Sequence, residues 1–133
     1  MLITVESDYA VRILRALVDG GRKTVEAICA AELIPRPYGY KILKKLEKGG
    51  IVRSFRGING GYALERGLET VTLYDVFTAV DGDILLTGCV DTSYLCPRNT
   101  AGRRCAVHAE FGRLQSLLTG ALREKSLAEI LAG

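Results

Sequence analysis

Three of the four cysteines and the single histidine fall within residues 89–108, in the stretch CVDTSYLCPRNTAGRRCAVH. Their order is Cys89, Cys96, Cys105, His108, with six, eight and two residues between successive members. Three thiolates and one imidazole complete a four-ligand set for zinc or for an iron–sulfur cluster. Structural zinc sites usually show two close pairs, each on a tight knuckle. Only Cys105 and His108 are close here, three apart and expected on one face of a helix. Wide spacing on a loop suits a ligand set that wraps a bulky inorganic cluster, in which an imidazole can replace one thiolate and raise the potential. Zinc binding and a few free surface thiols are the competing readings. A catalytic Cys–His pair lacks a third, orienting group in this stretch. The fourth cysteine, Cys29, lies in the apolar run VEAICAAEL and reads as a core thiol.

The chain that must position these residues has 133 residues, 48% hydrophobic and 25% charged, which suits one domain with a real core. The start, MLITVESDYAVRILRAL, lacks the basic-then-apolar order of a leader, and no apolar run reaches the roughly 18 residues of a membrane span. The expected setting is the cytoplasm, with reduced thiols and no membrane partner. There, clustered cysteines point to metal or redox chemistry more than to a disulfide framework. The net charge of +3 is unevenly placed. Residues 1–66 carry 12 Lys/Arg against 7 Asp/Glu, and residues 67–133 carry 6 against 8. Within 36–56 lie Arg36, Lys41, Lys44, Lys45, Lys48, Arg53 and Arg56 against one acid, Glu47. That density is an electrostatic footprint for a polyanion; a solvated helix face is the bland alternative.

Periodicity predicts a first helix over 7–19, capped by Ser7 and carrying Val11, Leu14 and Val18 inward. Thr24 caps a short second helix. Pro35 and Pro37 fit the first turn of a third, which Gly49 and Gly50 stop. Its Ile42, Leu43 and Leu46 face inward and its lysines lie on the other surfaces. IVRSFRGINGGYALE then reads as a β-hairpin with a glycine-rich tip, where Gly57, Gly60 and Gly61 allow a tight turn and close approach to phosphates. Thr72 and Asp75 have capping-box spacing, as do Ser126 and Glu129. A loop over 81–101 carries the first two clustered cysteines. A long helix runs from about Arg103 to Leu118 or beyond, with Val107, Phe111, Leu114, Leu118 and Leu122 as an apolar stripe suited to the domain surface or to a dimer seam.

The expected fold is mainly α with a small β-hairpin wing: a winged helix-turn-helix over 1–80, the cysteine loop over 81–101, and a dimerisation helix with a short C-terminal helix over 102–133, all in one integrated domain. Helix three would enter a major groove and the wing would lie on the backbone or reach the minor groove. The residues expected on DNA are Arg36, Tyr38, Tyr40, Lys41 and Lys44 from helix three, with Arg53, Arg56, Gly57, Asn59, Gly60 and Gly61 from the wing. Tyr38 and Tyr40 are alternatively core.

The segments DYAVRIL, LEKGGIVRSFRG and RGINGGYAL, with a three-cysteine loop before a long helix, resemble the iron–sulfur regulators of the IscR, NsrR and CymR type (the Rrf-two family) over essentially the whole chain. The resemblance implies a homodimeric bacterial transcription factor on palindromic double-stranded DNA, not an enzyme, whose DNA affinity follows its cluster and so senses iron, redox or nitric oxide status. Members with three cysteines and a histidine imply a [2Fe–2S] cluster on Cys89, Cys96, Cys105 and His108, the favoured reading. Members with an aspartate from the other subunit imply a [4Fe–4S] cluster, for which Asp8 matches; an acid in a helix's first turn is favoured by the helix dipole in any case. The cysteine spacings here are longer than the family's usual five and five. The competing reading from another class is a zinc-binding interaction module whose basic face contacts a protein.

Overall fold

The computed structural model describes residues 3–133. Helix α1 spans Val5–Ala16 and begins where the Thr4 hydroxyl accepts the Ser7 amide. It starts and ends earlier than the apolar pattern suggests. Two hydroxyl residues three apart compete for the cap, and Thr4 takes it because Ser7 is drawn elsewhere: its side chain is buried and donates to Asp81. Val18 falls outside the helix and is exposed. Along α1, Ala10, Ile13, Leu14 and Leu17 keep no exposed surface. Burying each of the large ones is worth roughly 1.5–3 kcal/mol.

Helix α2, Val25–Glu32, is capped by Thr24, whose hydroxyl accepts the Ala27 amide. A left-handed residue, Leu33, turns the chain into α3, Arg36–Lys48, with Pro35 at its cap and Pro37 in its first turn. Both helices pack on α1 through Ile28, Ile42, Leu43 and Leu46, all buried. The approach of α2 to α3 is set by Gly39: a Cβ there would collide with Cys29 Sγ. Cys29 is the core thiol expected, and burial pushes its pKa up.

Strands β1, Val52–Phe55, and β2, Gly61–Leu64, form an antiparallel hairpin with Val52 opposite Leu64 and Phe55 opposite Gly61. Lys23 adds one ladder step to β2: its amide donates to the Tyr62 carbonyl at 2.9 Å and its carbonyl accepts the Tyr62 amide at 2.8 Å. The wing is thereby tied to the α1–α2 linker. This tie dictates the glycine at 61, which has φ +130° and no room for a side chain beside the Lys23 carbonyl. Gly61 thus has a role in the fold, independent of any approach to phosphate.

Helix α4, Leu73–Asp81, starts in a complete Thr72–Asp75 capping box. The following segment is not featureless: Thr87 caps a single 3-10 turn, Gly88–Val90. Helix α5 runs from Ala106 to Glu124, starting later than expected and ending beyond Leu118 as expected. Its start is delayed because Thr100 and Arg103 pair as an isolated bridge and the Asn99 side chain accepts the Cys105 amide. Helix α6, Leu127–Ala132, is capped by Ser126 and returns to the winged helix: the Leu127 amide donates to the Val71 carbonyl at 2.7 Å, and Leu127 is fully buried. No helix among the described residues is long and apolar enough to cross a membrane.

The Gly39–Cys29 contact makes a prediction. Gly39→Ala should lower unfolding stability by about 1–3 kcal/mol in urea titrations. Adding Cys29→Ala should return part of that loss, so the double variant should be more stable than additivity allows.

Candidate functional site

Two groups of residues carry chemistry. The first is the outward side of α3 and the wing. At 100° per residue, Gly39, Ile42, Leu43 and Leu46 mark the buried side of α3, and Lys41, Lys44 and Lys48 form the opposite stripe. Tyr38 and Tyr40 flank it and are both exposed, which removes the core reading for them. Tyr38 leans toward α1, its ring edge-on to Tyr9 with centroids 5.5 Å apart. Tyr40 leans toward α2, where its hydroxyl donates to Glu26 Oε1 at 2.8 Å. That bond lowers the Glu26 pKa and raises that of the Tyr40 phenol.

The cations of this face are not equivalent. Arg36, Lys44, Lys48 and Arg56 are exposed and make no ion pair with any described residue. Arg53 is engaged: it lies 3.7 Å from Glu65 and 4.9 Å from the Phe55 ring centroid. Arg22 approaches the same ring at 4.2 Å and donates to the Asn59 carbonyl at 3.0 Å, pinning the wing tip. Lys41 and Lys45 both reach Glu6 on α1, at 2.7 and 2.9 Å. Hydrogen bonds from Lys41 and then Lys45 hold the Glu6 carboxyl below its ordinary pKa. At the wing tip Gly57 has φ +92°, and Arg56, Gly57 and Asn59 are exposed, while Gly60 and Gly61 are half-buried.

The second group is the cysteine segment between α4 and α5. Cys89, Cys96 and Cys105 are free thiols, each half-buried. Cys89 Sγ lies 3.3 Å from His108 Nδ1. Cys96 and His108 line, with Cys89, a hollow of about 680 Å³. Cys105 lines an adjoining hollow that shares Asn99, Thr100, Ala101 and His108 with the first. The direct sulfur–imidazole contact is thus Cys89–His108, while Cys105, the N-cap residue of α5, shares a hollow with His108. Among the described residues no three of His, Cys, Asp and Glu are gathered closely enough to grip a single ion. Asp8 borders neither hollow; it pairs with Arg12 at 2.8 Å one turn along α1.

Several residues that hold these groups carry no sequence signal. Gln115 on α5 accepts the Leu86 amide at 2.8 Å and donates to the Ile84 carbonyl at 2.6 Å. It lies two turns from His108 on the same helix, so one face of α5 fixes both the base of the segment and the imidazole. Asp81, the last residue of α4, accepts from Thr4 Oγ1 at 2.6 Å and from Ser7, joining the root of the segment to the first turn of α1. Asn99 and Glu6 are the others. Each acts across a separation that local pattern does not encode, except Asn99, whose amide sits six residues before Cys105.

Helix α5 buries none of its residues within the chain. Val107, Phe111, Leu114 and Leu117 are exposed. Leu114, Leu118 and Leu122 border an apolar hollow of about 330 Å³ with Ile3, Phe77, Ile84 and Leu86. The expected stripe is present, but only its C-terminal half rests on α4 and the cysteine segment.

Comparison with known proteins agrees with this arrangement. The family model described as Rrf2, iron-dependent transcriptional regulator, matches residues 3–133. The transcriptional regulator IscR of Escherichia coli O1:K1 is 28% identical over 134 residues, covering 98% of this chain and 80% of the relative. Among solved structures, CymR, the global cysteine regulator of B. subtilis, superposes with a TM-score of 0.76 at 17% identity, covering 98% of this chain and 95% of that one. IscR of T. potens superposes with a TM-score of 0.72 at 20% identity, covering 98% and 85%. The relatives are transcriptional regulators and not enzymes. A winged helix with α3 and the wing tip in solvent, and a match along the whole described chain, place this protein in the Rrf2 family of transcriptional regulators.

Proposed function

We propose that this chain is a homodimeric, cluster-dependent regulator that binds palindromic double-stranded DNA through α3 and the wing. The observation that carries the cluster reading is the Cys89–His108 contact at the wall of a hollow that also takes Cys96, next to Cys105. The donors fit such a group: three free thiols and an imidazole are spread around a space much larger than one ion. Cys89, Cys96, Cys105 and His108 would hold it, and [2Fe–2S] is favoured because the imidazole is already at the site. Asp8, reaching from a second subunit, is the alternative fourth ligand for a [4Fe–4S] cluster. When bound, the group supplies a charge and a potential set by its ligands and responsive to iron, redox state or nitric oxide.

The remaining work falls to the chain. Gln115 holds the base of the cysteine segment against α5, and Asp81 holds its root against Thr4 and Ser7. A shift of the root is therefore felt at α1, on which α3 packs. A segment biased between two arrangements by its ligand is what such a switch requires. On the DNA side, Lys44 and Lys48 meet phosphate, Arg36, Tyr38 and Tyr40 reach base edges, and Arg56 enters the minor groove. The uncovered stripe of α5 is the seam for the second subunit, which would set the spacing of the two reading helices.

Three experiments test this. Anaerobic purification with iron and sulfide analysis should find two of each per chain. Alanine at Cys89, Cys96 or Cys105 should remove most visible absorbance, Cys29→Ala should leave it, and His108→Ala should shift or strip it. Stoichiometric zinc without sulfide, retained in these variants, would instead favour a zinc-binding interaction module. On duplex DNA, Lys44→Ala should reduce the salt slope of binding by about one unit for all sequences. Arg56→Ala should weaken a selected operator by about 1–3 kcal/mol and random duplex far less. In sedimentation, Leu114→Asp should yield monomer, since an unpaired buried carboxylate costs several kcal/mol. A variant that stays dimeric places the seam elsewhere.

A further inference from the structure

The cations of α3 divide into those open to solvent and those already held by a carboxylate. Glu6 stands in the first turn of α1 and takes two ammonium groups from α3, Lys41 at 2.7 Å and Lys45 at 2.9 Å. Its side chain keeps 17% of its surface, against 58% for Lys41 and 35% for Lys45. Lys41 belongs to the outward stripe with Lys44 and Lys48, whereas Lys45 lies toward α1. Lys44 and Lys48 have no such partner among the described residues. An acid at this position is favoured by the dipole of α1 alone, but the dipole does not require two lysines from another helix. The second helix is what makes the carboxylate more than a cap.

We propose that Glu6 sets how strongly the reading helix grips the DNA backbone, by competing with phosphate for Lys41 and Lys45. The inference rests on the DNA-binding reading above and adds to it a residue that weakens binding. Two effects act in the same direction. The carboxylate is tethered beside the lysines, so phosphate must displace an ever-present rival. Where Lys41 keeps its contact with Glu6, the negative charge lies within a Debye length of the incoming backbone and repels it. Nonspecific binding is dominated by phosphate contacts, so it suffers more than operator binding, which also has base contacts. Glu6 thereby widens the gap between operator and bulk DNA.

The test is a salt titration by fluorescence anisotropy, with random-sequence duplex as the probe. Glu6→Gln keeps the shape and removes the charge. It should tighten binding by roughly tenfold at low salt, and steepen the salt dependence by about one unit for each lysine released. A second measurement leaves Glu6 in place: Lys41→Gln should cost the wild-type chain less affinity than Lys44→Gln, and the two should cost about the same in the Glu6→Gln chain. Weaker binding by Glu6→Gln would show that the carboxylate aims the lysines at DNA, and would overturn the inference. Unchanged binding, or equal costs of Lys41→Gln and Lys44→Gln with Glu6 present, would overturn it as well. A wild-type chain that binds no duplex at any salt would sink the DNA-binding reading itself, an outcome distinct from the others.

Discussion

Helix α1 is sealed on one side by Ala10, Ile13, Leu14 and Leu17, and that burial is the constraint to which the other elements answer. Helices α2, α3 and α4 each pack on it, so the orientation of α3 is fixed by side chains that never meet solvent. The steric limit between Gly39 and Cys29 then fixes the distance of α3 from α2. Close-packed contacts of this kind move as units and do not deform smoothly. A displacement of α1 is consequently passed to α3 in full.

The polar surface of α1 complements its apolar one. Its first turn holds three residues with three different partners: Glu6 with lysines of α3, Ser7 with Asp81 at the end of α4, and Asp8 with Arg12 of its own helix. One turn therefore touches α3 and the root of the cysteine segment, and it presents Asp8, proposed above as the alternative fourth ligand. The Asp8–Arg12 pair is exposed and contributes little to stability, while the contacts of Glu6 and Ser7 are more sheltered. Their importance is positional.

Much of the fold was legible in sequence because it is decided locally. Thr24, Thr72 with Asp75, and Ser126 each cap the helix that follows, and the hairpin falls where its strands and glycines indicate. Misplaced boundaries have causes that helical periodicity does not carry. Ser7 looks like a cap by type, but Asp81, seventy-four positions away in sequence, takes its hydroxyl. The start of α5 looks helical from Arg103, but the Thr100–Arg103 bridge and the Asn99–Cys105 bond hold that stretch extended. At the site, spacing pointed to Cys89, Cys96, Cys105 and His108, and the structure places them around two adjoining hollows, with the direct sulfur–imidazole contact made by Cys89. That contact spans nineteen positions, a separation that spacing along one helix does not reveal. Glu6 and Gln115 were invisible for the same reason: a lone acid or amide carries no pattern until its distant partners are known.

The segment from Gly82 to Lys125 leaves the winged helix and returns to it with both ends fastened. Asp81 is bound to Thr4 and Ser7 at one end, and Ser126 and Leu127 are bound to Thr72 and Val71 at the other. Closing a long loop costs conformational entropy that rises only slowly with length, and here the ends are held whether or not the interior is ordered. Order gained inside the segment is therefore not charged with the cost of bringing its ends together. Ligand or partner binding within that segment would then be measured as the order it restores, in amides protected from exchange along α5 and the cysteine segment.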